Sequence, residues 1–321
     1  MDQNKKVSII IPTFNRENLI RKAIDSVFLQ DYQNFEILII DDCSTDKTGD
    51  VVKSYQDNRI IYIKNKKNYG AAKSRNIGIS KATGDFISFL DSDDEWLPEK
   101  LISELRLFEQ YPDCIAVSFN QIFINGKNNK IIKKKPLLKG AIDDKKFVNQ
   151  TEFLRGNALT TNDFTIRKKA LTKINGFDEG LAARQDWDIW IRIAEVGLVL
   201  QSNIKMTKKF IFHGQQISLN LEKKADGTIA ILNKYKHLFL KDETALFRIY
   251  LSIALLYIFD NQTVKSKNIL QSGIKEIKNK SKRLILLVLY QYINLFRKLG
   301  ARALTFFYKI INPKSYLAWG K

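Results

Sequence analysis

Two cysteines, Cys43 and Cys114, are all that 321 residues provide. They are too few for a disulfide framework and lack the spacing of a metal knuckle, so a reducing compartment is expected. Glycine (15) and proline (5) are sparse, which leaves little room for long linkers. A secretory leader is not apparent: Met1 to Lys6 is polar, and the apolar run behind it, Val7 to Ile11, is too short for a signal-peptide core. Leu284 to Tyr290 is likewise well short of a membrane span. These absences point to the cytoplasm. Neither the phosphate-loop pattern GxxxxGK(S/T) nor the dinucleotide fingerprint GxGxxG occurs, so phosphate would have to be held in some other way.

Acid is scarce as well, and unevenly so. The formal charge is +19, and between Asn261 and Lys321 13 lysines and arginines face the single acid Glu276, so this tail carries +12 of the excess. Such a balance asks for an anionic partner: nucleic acid, a membrane surface or a phosphate-rich substrate. Apolar residues are plentiful, 45% of the chain with 20 phenylalanines, enough for one large core or two modest ones.

The apolar residues are ordered. Val7 to Ile11, Phe35 to Ile40, Ile60 to Ile63, Phe86 to Leu90 and Ile115 to Phe119 are short, nearly continuous runs of the kind that strands buried on both faces present. Between them, Glu17 to Leu29, Thr45 to Tyr55, Ala71 to Lys81 and Pro98 to Gln110 have helical length and amphipathic spacing. The alternation predicts a doubly wound α/β fold. Asn125 to Lys146 is basic and irregular, and reads as a hairpin or mobile loop over the sheet's rim. A Trp-rich helix is expected over Asp186 to Glu195, and helices alone from about Tyr235. The predicted division is a catalytic domain over 1–234 and a basic helical region over 235–321.

In such sheets ligands sit beyond the carboxyl ends of the strands, so the residues just past each strand are diagnostic. Pro12, Thr13, Phe14 and Asn15 come after the first, Asp41 and Asp42 after the second, and Asp91, Ser92, Asp93, Asp94 and Glu95 after the fourth. Four carboxylates in five residues next to a buried strand would repel one another unless neutralised, and a hard divalent cation such as Mn2+ or Mg2+ would do so. Each cluster alone could equally be a helix cap. Two of them at two strand ends favour a nucleotide and metal site. Lys66, Lys67, Lys73 and Arg75 could add cationic help with phosphate, or form a solvated helix face.

Several ordered segments resemble the inverting family 2 glycosyltransferases with the GT-A fold. They are VSIIIPTFNRE from Val7, ILIIDDCSTDKT from Ile37, NYGAAKSRNIGI from Asn68 and ATGDFISFLDSDDEWLP from Ala82, then NGFDEGLAARQDWDIWIR from Asn175 and HGQQIS from His213. The resemblance covers about residues 5 to 220. It implies a GT-A nucleotide-binding fold with a mostly parallel central sheet, plus a C-terminal helical region. It also implies that Pro12, Thr13, Phe14, Asn15 and Asp41 line the donor site, with the Asp42 carboxylate accepting from the N3 proton of uracil, hence a UDP-sugar. Arg75 and Asn76 match ribose and diphosphate contacts. Asp91, Ser92 and Asp93 match the family's DxD motif, and the extra Asp94 leaves open which of Asp91, Asp93 and Asp94 ligates the metal; His213 matches a position that in some members reaches the metal or diphosphate, and reads equally as a capped or core histidine. Asp186 falls at the position of the general base, with Gln185 where the family more often has Glu. Asp188, two residues on, competes, although i and i+2 point to different sides of a helix. The implied chemistry is a single in-line displacement in which Asp186 takes the proton of an acceptor hydroxyl. By the same resemblance the acceptor is a surface glycan, often lipid-linked.

A nucleotidyltransferase would use a similar acidic site but normally carries a Gly- and Arg/Lys-rich loop after the first strand, for which Phe14, Asn15 and Arg16 substitute poorly. A nucleic-acid-binding protein is suggested by charge alone and opposed by the acidic rim. Trp187, Trp190 and Ile191 read as core, and Trp96 as a candidate for stacking on the acceptor. From Leu284 to Ile311, Gln291, Asn294, Lys298, Arg302, Thr305 and Lys309 draw one polar stripe along a helix whose remaining face, with Phe296, Phe306, Phe307 and Tyr308, is broad and apolar. That stretch would pack on the catalytic domain or on a second subunit in a homodimer, present a nucleic-acid surface, or lie in an anionic membrane surface as a peripheral anchor on the inner leaflet.

Overall fold

Alternation along the first strand decides both cores. The computed structural model describes residues 4–132, 145–156, 159–212 and 220–294. In it β1 (Val7–Thr13) sends Ile9 and Ile11 to one face of the sheet and Ile10 to the other. Its neighbours β2 (Phe35–Asp41), β3 (Ile60–Lys64) and β4 (Phe86–Phe89) run parallel to it in the order β3-β2-β1-β4. The crossovers are α1 (Ile20–Phe28), α2 (Thr48–Lys53) and α3 (Ala71–Lys81). In α1 the buried Ile20, Ala23, Ile24 and Val27 keep the three-and-four spacing of one helix face and meet Val7, Ile9, Ile11, Ile37 and Ile39.

The sheet then becomes mixed. After β5 (Glu95–Trp96) and α4 (Lys100–Gln110) come β6 (Cys114–Asn125), β7 (Lys145–Val148) and α5 (Gln150–Leu154). Next along the chain are a 3-10 turn (Thr161–Asp163), β8 (Phe164–Arg167), α6 (Lys168–Lys173), α7 (Gln185–Val196) and β9 (Leu198–Ile211). β8 is antiparallel to both β4 and β6, β9 is parallel to β6, and β5 and β7 pair antiparallel with β9. The fold is GT-A: parallel over its N-terminal half, mixed beyond, with helices on both faces and at the C-terminus. Residues 133–144 of the expected loop lie outside the described residues. Just before them Asn125 N donates to Lys130 O at 2.9 Å, closing a tight hairpin.

Five helices end the described chain: α8 (Leu221–Lys234), α9 (Lys236–Phe239), α10 (Glu243–Phe259), α11 (Thr263–Glu276) and α12 (Lys280–Gln291). Helix α8 begins ahead of position 235, where helices alone were expected. Helix α10 is apolar all round, which suits its central place among its neighbours. One apolar cluster takes in Ile10, Leu38 and Phe89 of the sheet, Ile189 and Trp190 of α7, and Ile253, Leu270, Leu286 and Leu289 of these last helices. No helix among the described residues is long and apolar enough to cross a membrane.

Candidate active site

The carboxyl ends of β2, β1 and β4 lie side by side because the strands are adjacent and parallel. After β4 the chain turns at once, Asp94 N donating to Asp91 O at 3.0 Å. The turn gathers Asp91, Asp93 and Asp94, with one oxygen of each within 4.8 Å of the others. Burial works against ionisation of Asp91, but Lys209 and Arg75 outweigh it and hold its carboxyl below the usual range. Arg75 Nη2 lies 3.0 Å from Asp91 Oδ1, and Lys209 Nζ 3.8 Å from Oδ2. Asp93 moves the other way, raised by burial and by Asp91. Ser92, between them, is buried.

Asp94 is only 1% exposed. Its Oδ1 accepts from Phe210 N at 2.9 Å, and its Oδ2 takes Asn162 Nδ2 and, at 3.4 Å, Lys209 Nζ. Burial pushes Asp94 up to about 8, with Lys209 opposing the rise and Asp93 and Asp91 adding to it. Burial also disfavours the charge on Lys209, yet Asp94, Asp91 and Asp93 more than restore it. Three hard oxygen donors this close fit a divalent ion such as Mn2+ or Mg2+. Asp94 already serves protein donors with both oxygens, whereas Asp91 and Asp93 are half-buried.

On the other side of the rim, Thr13 at the end of β1 pairs in register with Asp41 at the end of β2. Pro12 precedes it within β1, and Phe14 just beyond is 42% exposed. Asn15 has φ 51° and ties the two loops together: its N donates to Ser44 Oγ at 2.9 Å and its Oδ1 accepts from Thr45 N at 2.9 Å. Asp41 is buried and accepts from Ser44 N at 2.7 Å and from the Tyr62 hydroxyl. Asp42, also buried, accepts from Asn65 Nδ2 at 2.9 Å and Tyr69 N at 2.8 Å on one oxygen, and from Gly70 N at 2.7 Å on the other. Both oxygens of the carboxylate matched to uracil thus brace the loop that leads into α3. Cys43, within the loop after β2, has φ 72°, a left-handed backbone unusual for cysteine.

Arg75 reaches the acidic turn, but Asn76 does not join it. The Asn76 amide donates to Phe177 O and Glu179 Oε1, both at 2.9 Å, and accepts from Phe177 N at 2.8 Å, so it braces the turn before α7. In α7 the half-buried Asp186 accepts from Trp187 N at 2.9 Å. Asp188 is wholly buried. Its Oδ2 takes Arg192 Nε and Nη2 at 2.8 and 2.5 Å, and its Oδ1 takes the Tyr235 hydroxyl at 2.6 Å and Lys234 Nζ at 2.7 Å. Trp187, Trp190 and Ile191 are core, as expected. Trp96 is not placed for stacking on an acceptor, being buried with Lys100 Nζ 4.4 Å from its ring centre. His213 lies outside the described residues.

Residues 8–174 match the sequence profile described as glycosyl transferase family 2, just over half of the chain. The chain belongs to glycosyl transferase family 2. Among relatives of this transferase, the provisionally named colanic acid biosynthesis glycosyl transferase WcaA of Escherichia coli K12 is 32% identical over 242 residues, 74% of this chain and 84% of the relative. The UDP-Glc:alpha-D-GlcNAc-diphosphoundecaprenol beta-1,3-glucosyltransferase WfaP of Escherichia coli is 28% identical over 67% of this chain and 80% of the relative. Two solved structures share the fold. Staphylococcus aureus TarS 1–349 in complex with UDP-GlcNAc has a TM-score of 0.67 at 19% identity, covering 96% of this chain and 92% of TarS. The mannosyltransferase PcManGT from Pyrobaculum calidifontis, in complex with GDP-Man and Mn2+, has a TM-score of 0.58 at 16% identity, covering 98% and 88%.

Some residues that shape the transferase's acidic turn carry no sequence signal of their own. Asn162 is fully buried; its Oδ1 accepts from Asp91 N at 2.7 Å while its Nδ2 donates to Asp94, so one amide holds both ends of the turn. It stands in the 3-10 turn that Asp163 closes by accepting from Thr160 N and Oγ1, both at 3.2 Å. Burial pushes Asp163 up to about 6, and its Oδ1 has no partner among the described residues. Lys209 comes from a basic run in β9 that reads as solvated strand.

Proposed function

We propose that this family 2 glycosyltransferase is an inverting, metal-dependent enzyme. It would move a sugar from a UDP-sugar to a hydroxyl of a surface-glycan acceptor carried on lipid. The observation that carries the reading is the acidic turn, where three carboxylate oxygens converge at the carboxyl end of β4 beside a β1–β2 rim with an exposed aromatic. Asp91 and Asp93 would hold Mn2+ or Mg2+, with Asp94 fixing the turn from beneath and His213 as a further ligand. When bound, the ion would offset charge gathering on the departing diphosphate. Pro12, Thr13, Phe14, Asn15, Asp41 and Asp42 shape the nucleoside side, and Arg75 anchors Asp91. Asp186 takes the proton of the acceptor hydroxyl while that oxygen bonds to the anomeric carbon and the bond from that carbon to the diphosphate breaks. Asp188 is the poorer candidate because its carboxylate is committed to four donors in the core.

The acceptor reading draws support from the diphosphoundecaprenol in the name of the WfaP relative, and the UDP donor from that name and from the TarS complex. On this reading residues 1–234 are the catalytic unit and 235–321 the basic helical region that meets the inner face of the membrane. Helix α12 supports such a role, presenting Leu284 outward beside the exposed Lys280 and Arg283, with Tyr292 exposed just past its end. The test is nucleotide release: a panel of UDP-sugars incubated with the protein and Mn2+ is expected to yield UDP, and excess EDTA to abolish it. Pyrophosphate from nucleoside triphosphates in place of UDP would turn the reading to a nucleotidyltransferase. Full activity in EDTA would remove the metal.

A further inference from the structure

We infer that Lys209 is the resident counter-cation of the acidic turn and that it makes binding of the divalent metal depend on the donor's diphosphate; the inference rests on the metal-dependent reading above.

The charges around the turn are unequal in their partners. Asp94 meets Lys209 at 3.4 Å, and Asp91 meets Lys209 at 3.8 Å and Arg75 at 3.0 Å, while Asp93 forms no ion pair among the described residues. Asp163 also acts on Lys209 and Arg16 on Asp93, so four carboxylates face the three cations Lys209, Arg75 and Arg16, and at most one negative charge is left uncompensated. A divalent ion entering alone would find little net attraction and an ammonium a few ångströms away. A diphosphate brings the missing negative charge and gives Lys209, on its flexible four-carbon stem, new oxygens to bind. Metal and diphosphate should therefore enter as a pair.

The placement of Lys209 is specific to one face of β9. Successive side chains of a strand point to opposite faces. Lys208, one residue earlier, turns away to Glu95 at 3.2 Å, opposite which it stands in the β5–β9 register. Lys209 alone enters the turn, held in line by Phe210 N, which donates to Asp94 at 2.9 Å. Lys208 thus supplies an internal control, a cation on the same strand beside a different acid.

The experiment is Mn2+ binding to the full chain, read from the free-ion electron paramagnetic resonance signal with and without UDP. It compares wild type, Lys209→Met, Lys209→Arg and Lys208→Met. Wild type is expected to bind Mn2+ weakly alone and about tenfold or more tightly with UDP. By reciprocity, Mn2+ must raise UDP affinity by the same factor. Lys209→Met should bind Mn2+ alone about tenfold or more tightly than wild type and gain less from UDP, whereas Lys209→Arg and Lys208→Met should behave as wild type. A folded Lys209→Met whose Mn2+ affinity without UDP is unchanged or weaker overturns the role of Lys209 while leaving the metal reading in place. If that variant does not fold, wild type still decides, because equal Mn2+ affinity with and without UDP contradicts the inference. Absence of Mn2+ binding in every protein, UDP present, overturns the metal reading and this inference with it.

Discussion

In α7 two carboxylates of the same chemical type sit two positions apart in different surroundings. Asp188 is buried and accepts from the part-buried Arg192, from Tyr235 and from the exposed Lys234, so Asp188→Asn weakens these charge-assisted bonds and should destabilise the fold by ~1.5–3 kcal/mol, measured by urea unfolding. Asp186→Asn should leave the melting temperature and UDP affinity near wild type while turnover falls by roughly 10²–10⁴-fold, the usual worth of a positioned base. Substantial turnover in Asp186→Asn would move the base elsewhere. Glu36 makes a different residue-scale case, at the amino ends of β1 and β2. It is 3% exposed and accepts from Lys6 Nζ at 2.7 Å, Ser8 Oγ at 2.6 Å, and Thr83 N and Oγ1 at 2.6 and 2.8 Å. Burial alone would raise its carboxyl, but these four donors hold it down at about 2. A carboxyl held below its unfolded value stabilises the protein above that value and ceases to do so as pH falls through the folded one. Roughly 3 kcal/mol should therefore be present at pH 6 and disappear between about pH 4.5 and about pH 2. Urea titrations of wild type and Glu36→Gln at pH 6 and pH 3 should show the gap between them narrowing at the lower pH. A constant gap would mean that packing, not charge, holds this corner.

At the scale of elements, legibility tracked burial. β1, β2 and β4 were visible because both of their faces are covered, so nearly every residue had to be apolar; α3 was visible to the residue, starting after Gly70 with φ 87°. β9 was not, although it is the longest strand among the described residues. Its buried positions include Gln201, Ser202 and Thr207, and Lys208 and Lys209 point at acids supplied by the segment after β4. A strand whose partners are charged groups remote in sequence has no hydrophobic period to read. The same reason hid Asn162, whose two hydrogen bonds to Asp91 and Asp94 span about 70 positions of sequence. The acidic turn itself was legible because its carboxylates are clustered in sequence. What organises the turn came from β9 and the turn before β8, and needed the fold.

At the scale of the whole molecule the unsettled element is the basic end of the chain, and the described part of it already divides the question. Helix α12 turns Leu286 and Leu289 into the apolar cluster shared with α10 and α11, with Ile293 just beyond it, and Gly273 lets Leu286 approach closely. Three fully buried aliphatic side chains are worth about 1.5–3 kcal/mol each, a large share of the roughly 5–15 kcal/mol that holds a domain together. A chain ending at Asn279 is therefore expected to unfold or aggregate, and its failure to meet a membrane would say nothing about anchoring. The informative cut is after Asn294. It removes Arg297, Lys298, Arg302, Lys309, Lys314 and Lys321 while keeping α12 on the core, and each cation held near an anionic surface contributes about 1 kcal/mol. The shortened chain should keep the wild-type melting temperature and transfer to a soluble acceptor, yet sediment with anionic liposomes far less than the full chain and lose little against neutral ones. Equal sedimentation would place membrane contact on α12 or the catalytic unit. A change from dimer to monomer on light scattering, with liposome binding unaltered, would assign the segment to a second copy of the chain.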